Sequence, residues 1–136
     1  MYRGRFAPSP TGSLHLGSLY TAVASFLEAR SRQGQWLLRI DDADIPRNVK
    51  GAADDILKTL DIFGLHWDEA VFYQSQQQSH YQVIIEQLKQ QDLIYPCICS
   101  RKTLATASNH TIYPQFCRDK SIPTDKPHAL RIKTNA

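Results

Sequence analysis

The residues that decide the fold of this 136-residue chain are 4–18, which read GRFAPSPTGSLHLGS. The run begins as a short strand and breaks at Pro8 and Pro10, since proline cannot donate to a sheet ladder. It then turns at Gly12 and enters a helix near Gly17. A stiff loop between a strand and a helix start exposes free N–H groups at the positive end of the helix dipole. This arrangement predicts an anion-binding site.

Two side chains strengthen the prediction of an anion site. Arg5 supplies a planar, permanently charged guanidinium, and His15 supplies an imidazole that can donate or accept a proton. A phosphate loop of the common nucleotide-binding type is excluded, because Ser18 follows Gly17 where that loop needs lysine. No G-x-G-x-x-G sequence occurs either, which argues against an NAD-type dinucleotide fold.

The first forty residues predict a strand, a helix and a second strand. The predicted strands are Tyr2–Ala7 and Trp36–Ile40, and the second is apolar enough to be a buried parallel strand. The helix is expected over Ser18–Arg32, with Gly34 as its C-cap. Its apolar face is predicted from five residues at helical spacing: Leu19, Ala22, Val23, Phe26 and Leu27. Together these elements form a βαβ unit of the α/β class.

The remaining chain predicts two more helices and short strands. The second helix is expected from Gly51 to Phe63 and ends at Gly64. A capping box of Ser75 and Gln78 is predicted to start the third, which runs to about Gln91. Its predicted inward face carries Tyr81, Ile84, Ile85 and Leu88. An apolar run then leads into Cys97, a polar insertion follows over 100–126, and a last strand is expected over 129–133. The predicted domains are residues 1–95, 96–127 and 128–136.

Composition indicates an ordinary globular protein. The chain is 42% hydrophobic and 21% charged, with a net charge of +3, which permits a nucleic-acid partner without requiring one. No run approaches the length of a membrane span, and the N-terminus has no signal-peptide core. We therefore expect a cytoplasmic protein.

Two motifs make the chain resemble class I glutamyl-type tRNA synthetases. Residues 5–12 followed by His15-Leu16-Gly17-Ser18 resemble the signature region of that family, with the HIGH-type motif on 15–18. Residues 39–44, RIDDAD, resemble the family's Arg-x-Glu-Asp-x-Asp element. The resemblance implies the first half of a class I synthetase Rossmann-like nucleotide-binding fold. It also implies ATP-dependent activation of L-glutamate to glutamyl-adenylate, with Mg²⁺ accompanying the ATP.

The resemblance assigns roles to individual residues. It implies that His15, Gly17 and Ser18 are the catalytic and ATP-binding residues. The glutamate-binding residues it implies are Arg5, Phe6, Ala7, Pro8, Ser9 and Asp41. Asp41 stands where the family usually has glutamate, so its carboxylate is one methylene shorter toward the substrate ammonium group. Asp41 and Asp42 have a plainer interpretation as solvated loop acids near Arg39 and Arg47, and Asp44 is a weaker candidate.

The three cysteines predict a metal site. Cys97 and Cys99 are two residues apart, so both thiols point to one side of an extended segment, and Cys117 follows a loop long enough to fold back. Three thiolates bind zinc well and need a fourth ligand. The resemblance offers Tyr113, while chemistry alone favours His110. The alternative is that the cysteines pack as small hydrophobic residues.

The cysteine pattern is most similar to a short bacterial branch of the family that has no anticodon-binding domain. Members of that branch attach glutamate to the queuosine base of tRNA(Asp), so the implied partners are L-glutamate, ATP and that tRNA, with the protein a monomer. The resemblance implies a second half of the catalytic fold, with a KMSKS-type loop, that we expect to lie outside these 136 residues. We expect a truncated chain or a fragment that binds substrates weakly alone. A fragment of a conventional glutamyl-tRNA synthetase and an inactive zinc-bearing RNA-binding module are the alternatives.

Overall fold

The computed structural model describes residues 1–100, 102–104, 114–123, 125 and 127–134. The chain divides into two compact units, Met1–Gln78 and Ser79–Ala136. No helix in the described ranges is long and apolar enough to cross a membrane. The domain division expected from the sequence stays a prediction.

The first unit is built on a three-stranded parallel sheet. Strands β1 (Arg3–Phe6), β2 (Gln35–Ile40) and β3 (Phe72–Tyr73) lie in the order β1-β2-β3. Helix α1 (Leu16–Ser31) connects β1 to β2, so the predicted βαβ unit is confirmed, although α1 begins two residues early. Helix α2 (Ala52–Ile62) follows β2. The two-residue β3 was not predicted, because it is too short to show an alternating pattern.

One face of the sheet carries the core. Side chains alternate along β2, so Trp36, Leu38 and Ile40 are buried together with Phe6 of β1. The Trp36 ring stacks on Phe6 with centroids 6.2 Å apart, and the edge of Phe26 packs against it. Leu27 does not join this core: it is 58% exposed, so its predicted inward position is wrong.

The two helix ends in this unit differ in the residue that adopts positive φ. Gly64 ends α2 as predicted, with φ +69°. After α1 the left-handed residue is Gln33, with φ 50°, so the prediction of Gly34 as the capping residue is off by one position. Glycine at 34 has another cause: a Cβ there would lie 2.4 Å from the carbonyl oxygen of Tyr2.

The second unit contains all but the first residue of α3 (Gln78–Gln90) and an antiparallel pair, β4 (Ile94–Cys97) and β5 (Ala129–Ile132). Its core holds Tyr95, Cys97 and Cys117. The inward face predicted for α3 is not formed by the described residues, since Tyr81 and Ile84 are 36% and 41% exposed. The remaining two residues of that face, Ile85 and Leu88, are half-buried.

The predicted capping box at the start of α3 is also wrong. A 3₁₀ turn over Gln74–Gln77 precedes the helix. The Ser75 hydroxyl donates to the Asp42 carboxylate at 2.6 Å instead of capping α3.

Candidate functional site

A cleft of about 300 Å³ lies where β1 ends and α1 begins. It brings together the predicted glutamate-binding loop and the predicted ATP-binding helix start. Its lining residues are Phe6, Ala7, Pro8, Ser9, Thr11, Gly12, Ser13, Leu14, His15, Ser18 and Thr21. Gly17, between two lining residues, is exposed at the same helix start.

Backbone hydrogen bonds hold the loop that forms one wall of the cleft. The Asp41 N–H donates to the Pro8 carbonyl and the Val49 N–H donates to the Pro10 carbonyl, each at 2.9 Å. A proline has no backbone N–H, so Pro8 and Pro10 can join these hydrogen bonds only as acceptors. Their carbonyl oxygens connect the loop to the segment after β2. Gly12 turns the chain at φ +147°, a conformation that other residues rarely adopt.

His15 is the N-cap of α1, and both of its ring nitrogens face Ser18. Nδ1 accepts from the Ser18 N–H at 3.2 Å, and Nε2 lies 3.1 Å from the Ser18 hydroxyl oxygen. The donor in the contact between Nε2 and the Ser18 hydroxyl depends on which ring nitrogen carries the proton.

Gly17 leaves room for the His15 ring. A Cβ on Gly17 would lie 3.2 Å from both Cε1 and Nδ1 of His15, closer than an ordinary contact. The absence of a side chain at position 17 therefore gives the His15 imidazole room to lie against the start of α1.

Arg5 does not line the same cleft as Ala7–Ser9. Side-chain alternation along β1 turns Arg5 to the face opposite the core, where a second cavity of about 290 Å³ is lined by Arg3, Arg5, Arg39 and Glu69, among others. Arg3 pairs with Glu69 at 2.9 Å. Among the described residues no carboxylate pairs with Arg5. The Phe6 side chain is only 7% exposed and stacks on Trp36, so only its main chain can contact a ligand.

The acidic loop after β2 is held by specific partners. The Arg39 guanidinium binds both oxygens of Asp41, at 2.5 and 3.1 Å, while Asp44 pairs with Arg47 at 2.6 Å. Asp42 accepts from the Ser75 N–H at 2.8 Å and from its hydroxyl. Burial raises the pKa of Asp42, but the Ser75 hydrogen bonds outweigh it, and the pKa lies below its ordinary value.

Two hydrogen-bond partners of Asp42 were not predicted from the sequence. Ser75 binds Asp42 across 33 residues, and the Asn48 side-chain amide donates to the Asp42 carbonyl at 2.7 Å. Neither contact follows a short-range pattern. The spacing of Ser75 and Gln78 is typical of a capping box, but in the structure the Ser75 hydroxyl bonds Asp42.

The three cysteines meet in the second unit. All three Sγ atoms lie within 4.8 Å of one another, and those of Cys99 and Cys117 are 3.5 Å apart. Zn–S bonds of about 2.3 Å at tetrahedral angles place sulfur atoms roughly 3.8 Å apart, so the donor set fits such an ion. Tyr113 and His110, the two candidates for a fourth ligand, lie outside the described residues.

Comparison with known proteins points to one family. The model of class I tRNA synthetase (E and Q) catalytic domains matches residues 1–132. The glutamyl-Q tRNA(Asp) synthetase of Dechloromonas aromatica is 50% identical over 99% of this chain and 47% of its own length. That of Shewanella amazonensis is 56% identical over 86% of this chain and 40% of its own length. The chain thus spans about half the length of the curated relatives it matches.

A solved structure agrees in fold. A glutamate tRNA ligase from Elizabethkingia meningosepticum, crystallised in complex with its amino acid, superposes with a TM-score of 0.67 at 36% identity. The match covers 76% of this chain and 22% of that one. The α/β fold expected from the sequence is therefore confirmed.

Proposed function

Since the chain belongs to the family of class I tRNA synthetase (E and Q) catalytic domains, we propose that it forms the glutamate- and ATP-binding half of a glutamyl-Q tRNA(Asp) synthetase. The whole enzyme activates L-glutamate with ATP and transfers it to the queuosine base of tRNA(Asp). It acts as a monomer in the cytoplasm, where its tRNA substrate is found.

The observation that carries this proposal is the single cleft between the loop after β1 and the start of α1. Ala7, Pro8 and Ser9 line it from one side and His15 and Ser18 from the other. An amino acid and a triphosphate bound along this wall would have their reacting groups next to each other, which is the main requirement of adenylate formation.

The chain's own residues can meet the charges of both substrates. Charge suits Arg5 to the side-chain carboxylate of glutamate and Asp41 to its ammonium group. Both assignments require rearrangement on binding, because Arg5 lines the second cavity and Asp41 is paired with Arg39. The Ser9 hydroxyl adds a neutral hydrogen bond. The α-carboxylate then attacks the α-phosphorus of ATP and pyrophosphate leaves. The start of α1, with His15 and Ser18, stabilises the negative charge that develops on the phosphate.

We further propose that zinc occupies the cysteine cluster. The three clustered sulfurs support this assignment, with Tyr113 as fourth ligand and His110 as the alternative. Bound zinc stabilises the fold of the second unit. Its role is structural, because four protein ligands leave no position for substrate.

The acceptor RNA separates this proposal from its nearest competitor. Relatives named for tRNA(Asp) are about 50% identical to this chain, whereas the solved glutamate tRNA ligase is 36% identical. The higher identity supports the queuosine acceptor. The lower one supports, as a second candidate, part of a conventional glutamyl-tRNA synthetase.

The test uses the longest natural protein that carries this chain. Exchange of pyrophosphate into ATP is measured with glutamate and without tRNA, followed by transfer to tRNA(Asp) with and without queuosine and to tRNA(Glu). We expect exchange without tRNA and transfer only to queuosine-containing tRNA(Asp). His15→Ala should abolish exchange and leave zinc content unchanged. Exchange within tenfold of wild type in that variant would contradict the role of His15, and transfer to tRNA(Glu) would favour the conventional enzyme.

A further inference from the structure

Helix α1 carries a row of apolar side chains on the side that does not face the core. Leu16, Tyr20, Ala24 and Leu27 are three or four residues apart, so they form one stripe along the helix, here called the outer stripe. All four are exposed, and the exposed fractions of Leu16, Tyr20 and Leu27 are 83%, 75% and 58%. The core face of the same helix is separate from this stripe and includes the buried Ala22.

The outer stripe lacks the charges that a solvent-facing helix surface normally carries. No Asp, Glu, Lys or Arg occurs from Phe6 to Leu27, and the first charged residue of α1 is Glu28. A surface helix has polar residues opposite its core face, whereas a helix that is apolar all round is buried. Single exposed apolar side chains are common, but a contiguous apolar patch marks a contact site. We therefore expect the outer stripe to be covered in the working protein.

The length of the relatives indicates what covers the stripe. The chain spans about half of their length, so the relatives carry a comparable stretch of polypeptide beyond the matched part. A segment on the same polypeptide meets the stripe at an effective concentration in the millimolar range, far above that of a second copy in solution. A lipid surface is a poorer occupant, because membrane-binding helices are rich in basic residues and α1 has none before Arg30.

We propose that the outer stripe is the docking face for the part of the longer protein that lies outside residues 1–136, and that this part contacts it through an apolar surface. The inference rests on the proposed function only in taking the chain as one half of a longer enzyme. It does not depend on which RNA accepts glutamate. Since Leu16 follows His15, which lines the cleft, the docked part also borders the cleft at the start of α1.

The first measurement is hydroxyl-radical footprinting, read by mass spectrometry, of the longest natural protein that carries this chain and of the 136-residue chain. We expect Leu16, Tyr20 and Leu27 to be oxidised several-fold more slowly in the longer protein. Trp36 is fully buried in the first unit, so its protection in both samples shows that this unit is folded. Equal oxidation of the stripe in the two samples would overturn the proposal, whether the rates are fast or slow.

The second measurement needs only the longer protein and compares two variants at adjacent positions. Leu27→Lys places a charge in the stripe, and its Tm should fall by at least about 4 °C if the stripe is covered. Glu28→Lys is the matched control, because position 28 is turned by about 100° around the helix and lies outside the stripe. It adds the same side chain and removes only an exposed ion pair with Arg32, so its Tm should change little. A Leu27→Lys protein as stable as the wild type would refute the docking.

Sedimentation of the longer protein identifies the occupant. A monomer whose outer stripe stays protected on dilution supports docking within one polypeptide. A dimer whose protection disappears on dilution would assign the stripe to a second copy and overturn the proposal, as would a natural protein no longer than this chain. None of these measurements uses activity. A protected stripe in a protein without pyrophosphate exchange would therefore contradict the proposed function and still support the docking face.

Discussion

The carboxylate of Asp42 accepts two hydrogen bonds from Ser75, one from the N–H at 2.8 Å and one from the hydroxyl at 2.6 Å. This contact fastens the acidic loop after β2 to the turn that follows β3. Because Asp42 is the neighbour of Asp41, it also fixes the loop that carries the proposed ammonium ligand.

Ser75→Ala is expected to lower the free energy of unfolding by about 1.5–3 kcal/mol, the typical range for a hydrogen bond to a charged group. Urea unfolding measures the loss. Ser31→Ala, which removes an exposed hydroxyl bonded to a helix carbonyl, should cost less than about 1 kcal/mol. Equal losses in the two variants would contradict a special role for the Asp42–Ser75 contact.

Asp68 predicts a pH dependence of stability. Its pKa is lowered mainly by the hydrogen bond from Arg30, and also by the Trp36 N–H, both at 2.7 Å. A lowered folded-state pKa means that the stabilisation is complete above the unfolded-state pKa and disappears as pH falls through the folded-state value. The difference in unfolding free energy between wild type and Asp68→Asn should therefore be largest near neutral pH and shrink in acid.

Urea unfolding of both proteins from about pH 7 to pH 3 tests this dependence, since the ordinary pKa of aspartate is about 3.9. Asp61→Asn is the control, because Asp61 and its partner His66 are 68% and 70% exposed and contribute little. A difference for Asp68→Asn that stays constant with pH would contradict the prediction.

Gly34→Ala should destabilise the first unit by about 1–3 kcal/mol, the usual cost of overpacking. The new Cβ would lie 2.4 Å from the Tyr2 carbonyl oxygen, which is backbone and already accepts from the Gln35 N–H at 3.0 Å. Thermal and urea unfolding measure this loss.

Gln33→Gly is the matched variant on the neighbouring residue. It should raise stability by about 0.5–1 kcal/mol, because Gln33 now holds φ 50° at a steric cost that glycine avoids. A neutral Gly34→Ala together with a destabilising Gln33→Gly would contradict both the close approach at Gly34 and the steric cost of positive φ at Gln33.

The zinc proposal predicts about one equivalent of metal in the purified protein. Cys99→Ser or Cys117→Ser should reduce it below half an equivalent, and chelation should unfold the second unit. Metal analysis, native thiol titration and thermal melting measure these changes. Full thiol reactivity in a native protein without zinc would instead support packing as small hydrophobic residues. Tyr113→Phe and His110→Ala, compared directly, decide the fourth ligand.

Asp41→Asn tests the ammonium ligand. The amide keeps the shape of the side chain and removes its charge, so the KM for glutamate should rise at least about tenfold, with kcat changing less. Asp44→Asn is the control, because Asp44 is likewise paired with a nearby arginine and lies in the same loop. Pyrophosphate exchange at varied glutamate concentration measures both constants. An equal rise in KM for the two variants would indicate general disturbance of the loop.

Local features of the fold were predictable because they depend on neighbouring residues. The apolar run of β2 and the helical spacing of apolar residues in α1 are local patterns, and the structure has these elements within a few residues of the predicted bounds. The αL position at Gly64 is local as well. The three cysteines also come together as their spacing indicates.

The tertiary structure decided which distant groups meet. That Ser75 binds Asp42 instead of capping α3, that Arg5 opens on a different cavity from Ser9, and that Leu27 stays exposed all depend on strands and helices packing across long sequence separations. The sequence by itself identified His15 and Ser18 as the start of α1. Only the folded backbone determined that both ring nitrogens of His15 face Ser18, because the helix geometry aims the Ser18 N–H and hydroxyl at the same imidazole.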